Sequence, residues 1–269
     1  MTEQLLIFGM GYTAGRLAAR LSHEGWQVTG IRRQAADECL AFDDAASVRA
    51  AIASATHIVS SVPPLAEGGD PVLMRYGADI ATNVHCWLGY LSATGVYGDT
   101  KGAWVDETAP IGAGRRTARA DADKEWQRLG SVFRLPGIYG PGRSALDRVQ
   151  SGRAHRIDLP EQVFSRVHVD DIVSGVVAGM TGPRGCYNLT DDFPCSQNAV
   201  IEYACALLGA PLPPMQSLDD AKLLPMARGF YGENRRISNR RAKRLLGWNT
   251  VYSSYKQGLD AILHTVTKD

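Results

Sequence analysis

The first half of the chain alternates short apolar runs with stretches whose apolar residues recur at helical spacing. Leu5–Phe8 is an apolar run that stops at Gly9. Beyond it Leu17, Ala18 and Leu21 share one helical face, and Gly25 follows where a helix C-cap belongs. Trp26–Ile31 predicts a second strand, Ser47–Ala53 a second helix, and His57–Val62 a third strong strand stopped by Pro63-Pro64. Trp87–Ser92 and Val132–Leu135 predict two more strands. Strands separated by helices imply right-handed crossovers and a parallel, doubly wound sheet.

The pattern changes after Gly140. Pro141-Gly142 opens a loop-rich stretch, Arg166–Val169 reads as a short strand, Asp171–Met180 as a helix, Cys186–Leu189 as β-like and Gln197–Leu208 as helical, before a proline-rich Ala210–Pro214. These elements are too intermittent for a core of their own. Residues 1–140 are therefore expected to form the main α/β unit and residues 141–269 a small lobe wrapped onto it, with segments near 166–190 returning to the sheet. No fixed-period repeat is visible.

Composition narrows the picture only modestly. The 269 residues are 45% hydrophobic and 21% charged, with a formal net charge of +1, so nothing biases the whole molecule toward nucleic acid or an anionic membrane. Five scattered cysteines (Cys39, Cys86, Cys186, Cys195, Cys205) form no C-x-x-C pair, which suits free thiols in a reducing cytoplasm. No apolar stretch reaches spanning length, and neither a secretory signal nor a metal-ligand spacing is apparent.

The sharpest chemistry lies at Gly9-Met10-Gly11-Tyr12-Thr13-Ala14, between a predicted strand and a predicted helix. In that setting the first glycine allows a tight turn, the second lets the backbone approach a pyrophosphate, and small Ala14 lets helix and strand pack closely. The helix start, with Tyr12 and Thr13, then offers free N–H groups to phosphates. This is the fingerprint of a Rossmann-type dinucleotide fold. An acidic residue about 20 positions on would bind the ribose diol of NAD. Arg32-Arg33 stands there instead, and a guanidinium suits a 2′-phosphate, so NADP is expected, with NAD as the alternative. Ser61-Val62-Pro63, at a strand end, would line the cofactor through backbone and apolar contacts.

Four further segments carry a family resemblance: Leu91-Ser92-Ala93-Thr94-Gly95-Val96-Tyr97-Gly98-Asp99, Phe133-Arg134-Leu135-Pro136-Gly137-Ile138-Tyr139-Gly140-Pro141, Val167-His168-Val169-Asp170-Asp171-Ile172, and Ser238-Asn239 with Leu246-Gly247-Trp248. In order and spacing they resemble the extended short-chain dehydrogenase/reductases, the epimerase/dehydratase group that acts largely on nucleotide sugars. The resemblance implies a cofactor domain followed by a lobe that closes over a small-molecule substrate. It also implies an aspartate near the adenine; Asp43 or Asp44 could fill that place, or could cap the following helix. Two connections, Cys39–Asp43 and Gly130-Ser131, are shorter than the family pattern.

The family's catalytic set does not carry over. Its Ser/Thr position falls on Ala93, with Thr94 adjacent, and its Tyr-x-x-x-Lys pair falls on Arg115 and Arg119. Arginine stays protonated and cannot act as a general base. Arg119 could still replace the lysine's ribose contact. The proton donor would then be Thr94, Tyr97, Tyr139 or a bound water; alternatively the two tyrosines, each in a Tyr-Gly pair at a strand end, simply pack loops. Arg115 and Arg119, one helical turn apart, with Arg143 on the opposite wall, could make a cationic substrate pocket for an anion. His168 beside Asp170-Asp171 reads as a charge-coupled pair or as a hydrogen-bonded tie between lobe and core. Arg235, Arg236, Arg240, Arg241, Lys243 and Arg244 read as a mostly solvated basic face without the aromatic interleaving of a nucleic-acid site. The expected protein is an atypical oxidoreductase or epimerase/dehydratase-like enzyme, with a homodimer as one open assembly; the alternative is a non-catalytic regulator that responds to NADP(H) and binds a partner.

Overall fold

The computed structural model describes residues 2–35, 39–112, 117–223 and 225–266. Its strands are β1 (Gln4–Phe8), β2 (Gln27–Arg32), β3 (Cys39–Ala41), β4 (His57–Ser60), β5 (Trp87–Ala93), β6 (Trp104–Val105), β7 (Ser131–Leu135), β8 (Gly137–Tyr139), β9 (Arg156–Ile157), β10 (Arg166–His168), β11 (Cys186–Asn188), β12 (Met215–Gln216) and β13 (Arg236–Ile237). The helices are α1 (Tyr12–His23), α2 (Ala45–Ser54), α3 (Pro71–Thr82), α4 (Thr117–Leu129), α5 (Ala145–Gln150), α6 (Val169–Thr181), α7 (Gln197–Leu208), α8 (Pro225–Phe230), α9 (Arg240–Leu246) and α10 (Tyr255–Val266).

Seven parallel strands form the central sheet in the order β11-β7-β5-β4-β1-β2-β3. The chain runs outward from β1 through β2 to β3, then returns to β4 on the other side of β1. A crevice therefore opens between β1 and β4, where open α/β sheets hold their ligands. Alternation along each strand feeds two apolar layers. Leu5, Ile7, Leu91 and Phe133 pack under α1 and α6, whereas Leu6, Phe8, Tyr90 and Val132 pack under α2, α3 and α4. In α1 the buried residues Ala14, Leu17, Ala18 and Leu21 fall at the i, i+3, i+4, i+7 spacing of one helix face.

Most expected elements appear within a residue or two of their predicted bounds. The strand predicted through Val62 ends at Ser60, which releases Ser61–Pro63 into a loop at the crevice. Helix α3 was not foreseen. Asp70 caps it, accepting from Val72 N and Leu73 N at 2.9 and 3.0 Å, and Pro71 supplies the preset φ of a first helical residue. Phe42–Asp44 join β3 to α2, and Gly130 alone joins α4 to β7.

The C-terminal part corrects the expectation that it cannot form its own core. Tyr139, Leu146, Val200, Ile201, Ala204, Leu259 and Ile262 make a separate apolar cluster between α5, α7 and α10. Each helix is short, but three of them distant in sequence pool their apolar faces. No helix among the described residues is long and apolar enough to cross a membrane.

One ionic interaction sits inside this frame. Arg134 of β7 and Asp123 of α4 are 2% and 0% exposed and bond through Nη2–Oδ1 at 2.8 Å and Nε–Oδ2 at 3.1 Å. Ser92 Oγ donates to the same carboxylate at 2.6 Å, and Gln127 adds a further donor. Full satisfaction is what makes such a desolvated pair tolerable. Asp123→Asn leaves the guanidinium without its counter-charge, and stability should fall by about 3–5 kcal/mol in urea unfolding. Adding Arg134→Met should recover part of the loss; an unchanged midpoint in the single variant would contradict this.

Candidate functional site

The crevice is built around the turn after β1. Gly9 adopts φ +88°, and its N–H donates to Ile31 O at 2.9 Å. A Cβ at Gly9 would lie 2.9 Å from Ser61 Oγ and 3.0 Å from Val62 Cγ2, and Ser61 Oγ donates to Gly9 O at 2.5 Å. Loop and strand end are thus pressed together, and only glycine fits. Gly11 is the opposite case. It starts α1 with no side-chain cap and no acid in the first turn, and a Cβ there would meet nothing within 4 Å. An uncapped helix start with open space before it matches the needs of a dinucleotide pyrophosphate.

Tyr12 forms the roof on the lobe side. Its hydroxyl donates to Pro141 O at 3.0 Å, and the Arg143 and Arg16 guanidiniums lie 5.6 and 5.9 Å from its ring. Arg16 also pairs with Asp170 at 3.3 Å, so α1 is fastened to the lobe entrance at two points. Thr13 lies in the first turn of α1, and Ala14 is fully buried beneath it.

At the other end, Arg32, the last residue of β2, and Arg33 are exposed, and Arg32 Nη2 approaches Met10 O at 3.5 Å. The two acids after β3 divide their roles. Asp44 caps α2 by accepting from Ser47 N at 3.2 Å, and the hydrogen bonds from Ser47 hold its pKa low. Asp43 pairs with Arg75 at 3.1 Å, and that guanidinium also lies 5.7 Å from the Phe42 and Tyr76 rings.

The proton-donor candidates fare differently. Tyr97 is buried, accepts from Arg134 Nη1 at 2.8 Å and donates to Asn188 Oδ1 at 2.8 Å. Tyr139 is buried too, donates to Ser254 O at 3.4 Å and sets its ring against His168 at 5.2 Å. Burial pushes both hydroxyls well above the usual tyrosine range. Of the two readings of the strand-end Tyr-Gly pairs, the buried side chains fit the packing one rather than an accessible acid. Thr94, 5% exposed, opens a short 3-10 turn (Thr94–Tyr97) directly at the end of β5.

Arg119 donates from Nη1 to Tyr90 Oη at 3.2 Å; Tyr90 stacks on Trp126, and burial pushes its pKa up to about 12. Arg115 lies outside the described residues, so the expected pairing of two guanidiniums rests here on Arg119 alone, and Arg119 is engaged with Tyr90. His168 caps α6: its Nδ1 accepts from Asp170 N at 3.2 Å, and burial lowers its pKa to about 4, which keeps it neutral. The C-terminal basic cluster is less solvated than expected. Arg235 donates to Gly98 O and pairs with Glu233, Arg236 bonds to Gly102 O, and Lys243 pairs with Asp192.

Sequence reading missed Asp123 and Asp70. Arg134 inside an apolar strand was the available signal for the first, since a buried cation demands a partner. Asp70 before Pro71 was the signal for the second; its other oxygen accepts from Trp126 Nε1 at 2.9 Å.

No family model matches the chain. Among solved structures, a functionally unknown conserved protein from Silicibacter pomeroyi is 41% identical, covering 98% of this chain and 99% of that one, with a TM-score of 0.86. A human epimerase family protein, solved with NADPH, is 15% identical over 97% of this chain and 99% of that one, with a TM-score of 0.75. A curated relative, the 3-diazoavenalumate denitrifying reductase of a Streptomyces species, is 34% identical over 142 residues, which is 48% of this chain and 46% of the relative. The chain has the fold of the extended short-chain dehydrogenase/reductases, in agreement with the four sequence motifs. It belongs to the same family as the Silicibacter pomeroyi protein.

The open space at Gly11 yields a direct check. Gly11→Ala should leave the thermal midpoint within about 1 °C, given substitutions without clash cost little, while affinity for a nicotinamide dinucleotide falls at least about tenfold because the methyl occupies the phosphate approach. Unchanged affinity in calorimetry would remove the pyrophosphate from this loop.

Proposed function

We propose that this chain is an NADP(H)-dependent oxidoreductase of atypical type, acting on a small substrate held between the glycine loop and the C-terminal lobe. The observation that carries the reading is the uncapped start of α1 facing open space at Gly11. The amides of the Gly9–Ala14 turn bind the pyrophosphate, Ser61–Pro63 line the cofactor, and Arg32 with Arg33 takes the 2′-phosphate. Asp43 and its Arg75 partner border the adenine end. The cofactor, when bound, supplies or accepts a hydride. Support for this chemistry comes from the partial relative named a reductase and from the human protein of the same fold solved with NADPH.

Neither strand-end tyrosine is a free proton donor. Tyr97 and Tyr139 are held in their protonated, hydrogen-bonded forms by burial. Arg119 contributes a fixed positive charge where the family has lysine, and Thr94 can orient a carbonyl oxygen or a water but not ionise. Proton delivery therefore falls to solvent, which favours substrates whose reduction needs little general-acid help. General acid–base catalysis contributes about 10²–10⁴-fold, so ordinary ketones should turn over slower by that order than with a Tyr-Lys pair.

Cofactor choice is the simplest test. NADPH should bind about 10- to 100-fold more tightly than NADH, the equivalent of one charge-assisted contact. Arg32→Ala should erase most of that difference. Equal affinities for the two cofactors in titration calorimetry would reject the assignment.

A further inference from the structure

The basic cluster near the C-terminus divides into two sets. Arg235, Arg236 and Lys243 are bonded to the protein, but the side chains of Arg240, Arg241 and Arg244 on α9 make neither an ion pair nor a hydrogen bond among the described residues. Arg240 and Arg244 are exposed and stand one turn apart, where like charges repel. Arg241 is half-buried over Tyr187, 5.9 Å from the ring centroid, and its Nε is closed off from water without an acceptor. A buried donor left open destabilises the fold until something accepts from it.

All three arginines line one cavity of about 1100 Å³ beside β11, the edge strand of the sheet. β7 and β5 separate β11 from the crevice between β4 and β1. The loop after β6 and the residues after β11 supply the other walls. Most acids there are engaged. Asp106 accepts from Thr108 N and Oγ1, Glu107 accepts from Asn188 N at 2.7 Å, and Asp192 accepts from Asn239 and Lys243.

Asp191 differs. It is 2% exposed; its Oδ1 accepts from Phe193 N at 3.2 Å, and its Oδ2 is buried without a partner. Burial raises its pKa to about 8, so near neutral pH it is largely an acid. A hydroxyl group is a partner for acid and carboxylate alike. Trp104, 60% exposed, adds a flat apolar face to the same cavity.

The uncommitted groups therefore form a pattern. Guanidinium forks suit a phosphate, a buried carboxyl with a free oxygen suits a hydroxyl, and an exposed indole suits the apolar face of a ring. Three free cations on one wall disfavour a metal ion or an ammonium group. The volume lies at the upper end of small-molecule sites.

We infer that this cavity is a second ligand site, apart from the cofactor crevice, and that it takes a sugar phosphate: the phosphate on Arg240, Arg241 and Arg244, a hydroxyl on Asp191, the ring against Trp104.

The test is calorimetry on the full chain with glucose 6-phosphate and ribose 5-phosphate as probes, glucose as the neutral comparison and inorganic phosphate as the bare anion. At least one sugar phosphate should bind at least about tenfold more tightly than glucose or phosphate, with the same affinity at saturating NADPH. Arg241→Gln should weaken it about 10- to 100-fold, and Arg241→Lys less. Arg244→Gln, at an exposed position, should weaken it about two- to fivefold. All three variants should keep the wild-type NADPH affinity, and Arg244→Gln the wild-type thermal midpoint. Absence of binding by both sugar phosphates, equal binding of glucose or of phosphate, displacement by NADPH, or wild-type affinity in both glutamine variants overturns the assignment. Should Arg241→Gln fail to fold, Arg244→Gln decides alone.

Discussion

The buried pair between Asp123 and Arg134 is the constraint on which the rest of the architecture depends. Two charges that are almost wholly removed from water need every lone pair and proton satisfied, and the partners that satisfy them come from separate elements. Ser92 brings the end of β5, Gln127 brings the next turn of α4, and Tyr97 brings the 3-10 turn. Tyr97 in turn reaches Asn188 of β11, whose amide N donates to Glu107 at 2.7 Å. A single charge pair thus fixes the helix that presents Arg119 and the turn that presents Thr94. The same demand explains why Tyr97 has no proton to spare for chemistry.

Charge across the cleft is uneven although the chain as a whole is nearly neutral. One end of the crevice offers Arg32 and Arg33, the middle offers the uncapped start of α1, and the lobe side offers Arg143 over the Tyr12 ring. The carboxylates near this line are largely committed, Asp44 to a helix cap, Asp43 to Arg75, Asp147 to Ser144 and Asp170 to Arg16. Field is generated by consuming the acids elsewhere rather than by adding bases. Electrostatic steering of this local kind requires no large net charge.

What the sequence made legible was local. The glycine turn, the strand ends and the helix faces depend on neighbours within a few positions, and the fold class followed from them. Arg32 at the end of β2 was readable for the same reason. The destinies of Tyr97, Tyr139 and Arg119 were not, because each depends on a partner 29 to 115 positions away: Asn188, Ser254 and Tyr90. A strand-end tyrosine has the same local pattern whether it faces a ligand or a helix. The lobe's core escaped for a related reason, since α5, α7 and α10 show weak patterns singly and a core only together.

The position of β11 carries a consequence for how the chain is made. β7 is finished at Leu135, yet its outer neighbour, Cys186–Asn188, arrives only after α5 and α6 have been synthesised. Until then β7 is a bare edge, with unpaired backbone groups and with Arg134 and Tyr97 lacking Asn188. Such an edge invites pairing with foreign strands. The nascent chain therefore passes through a stretch of about 50 residues, a few seconds at typical elongation rates, in which the sheet that will hold the cleft is incomplete. Chaperone demand and aggregation on the ribosome should concentrate in that interval rather than at the glycine turn, whose strands pair early.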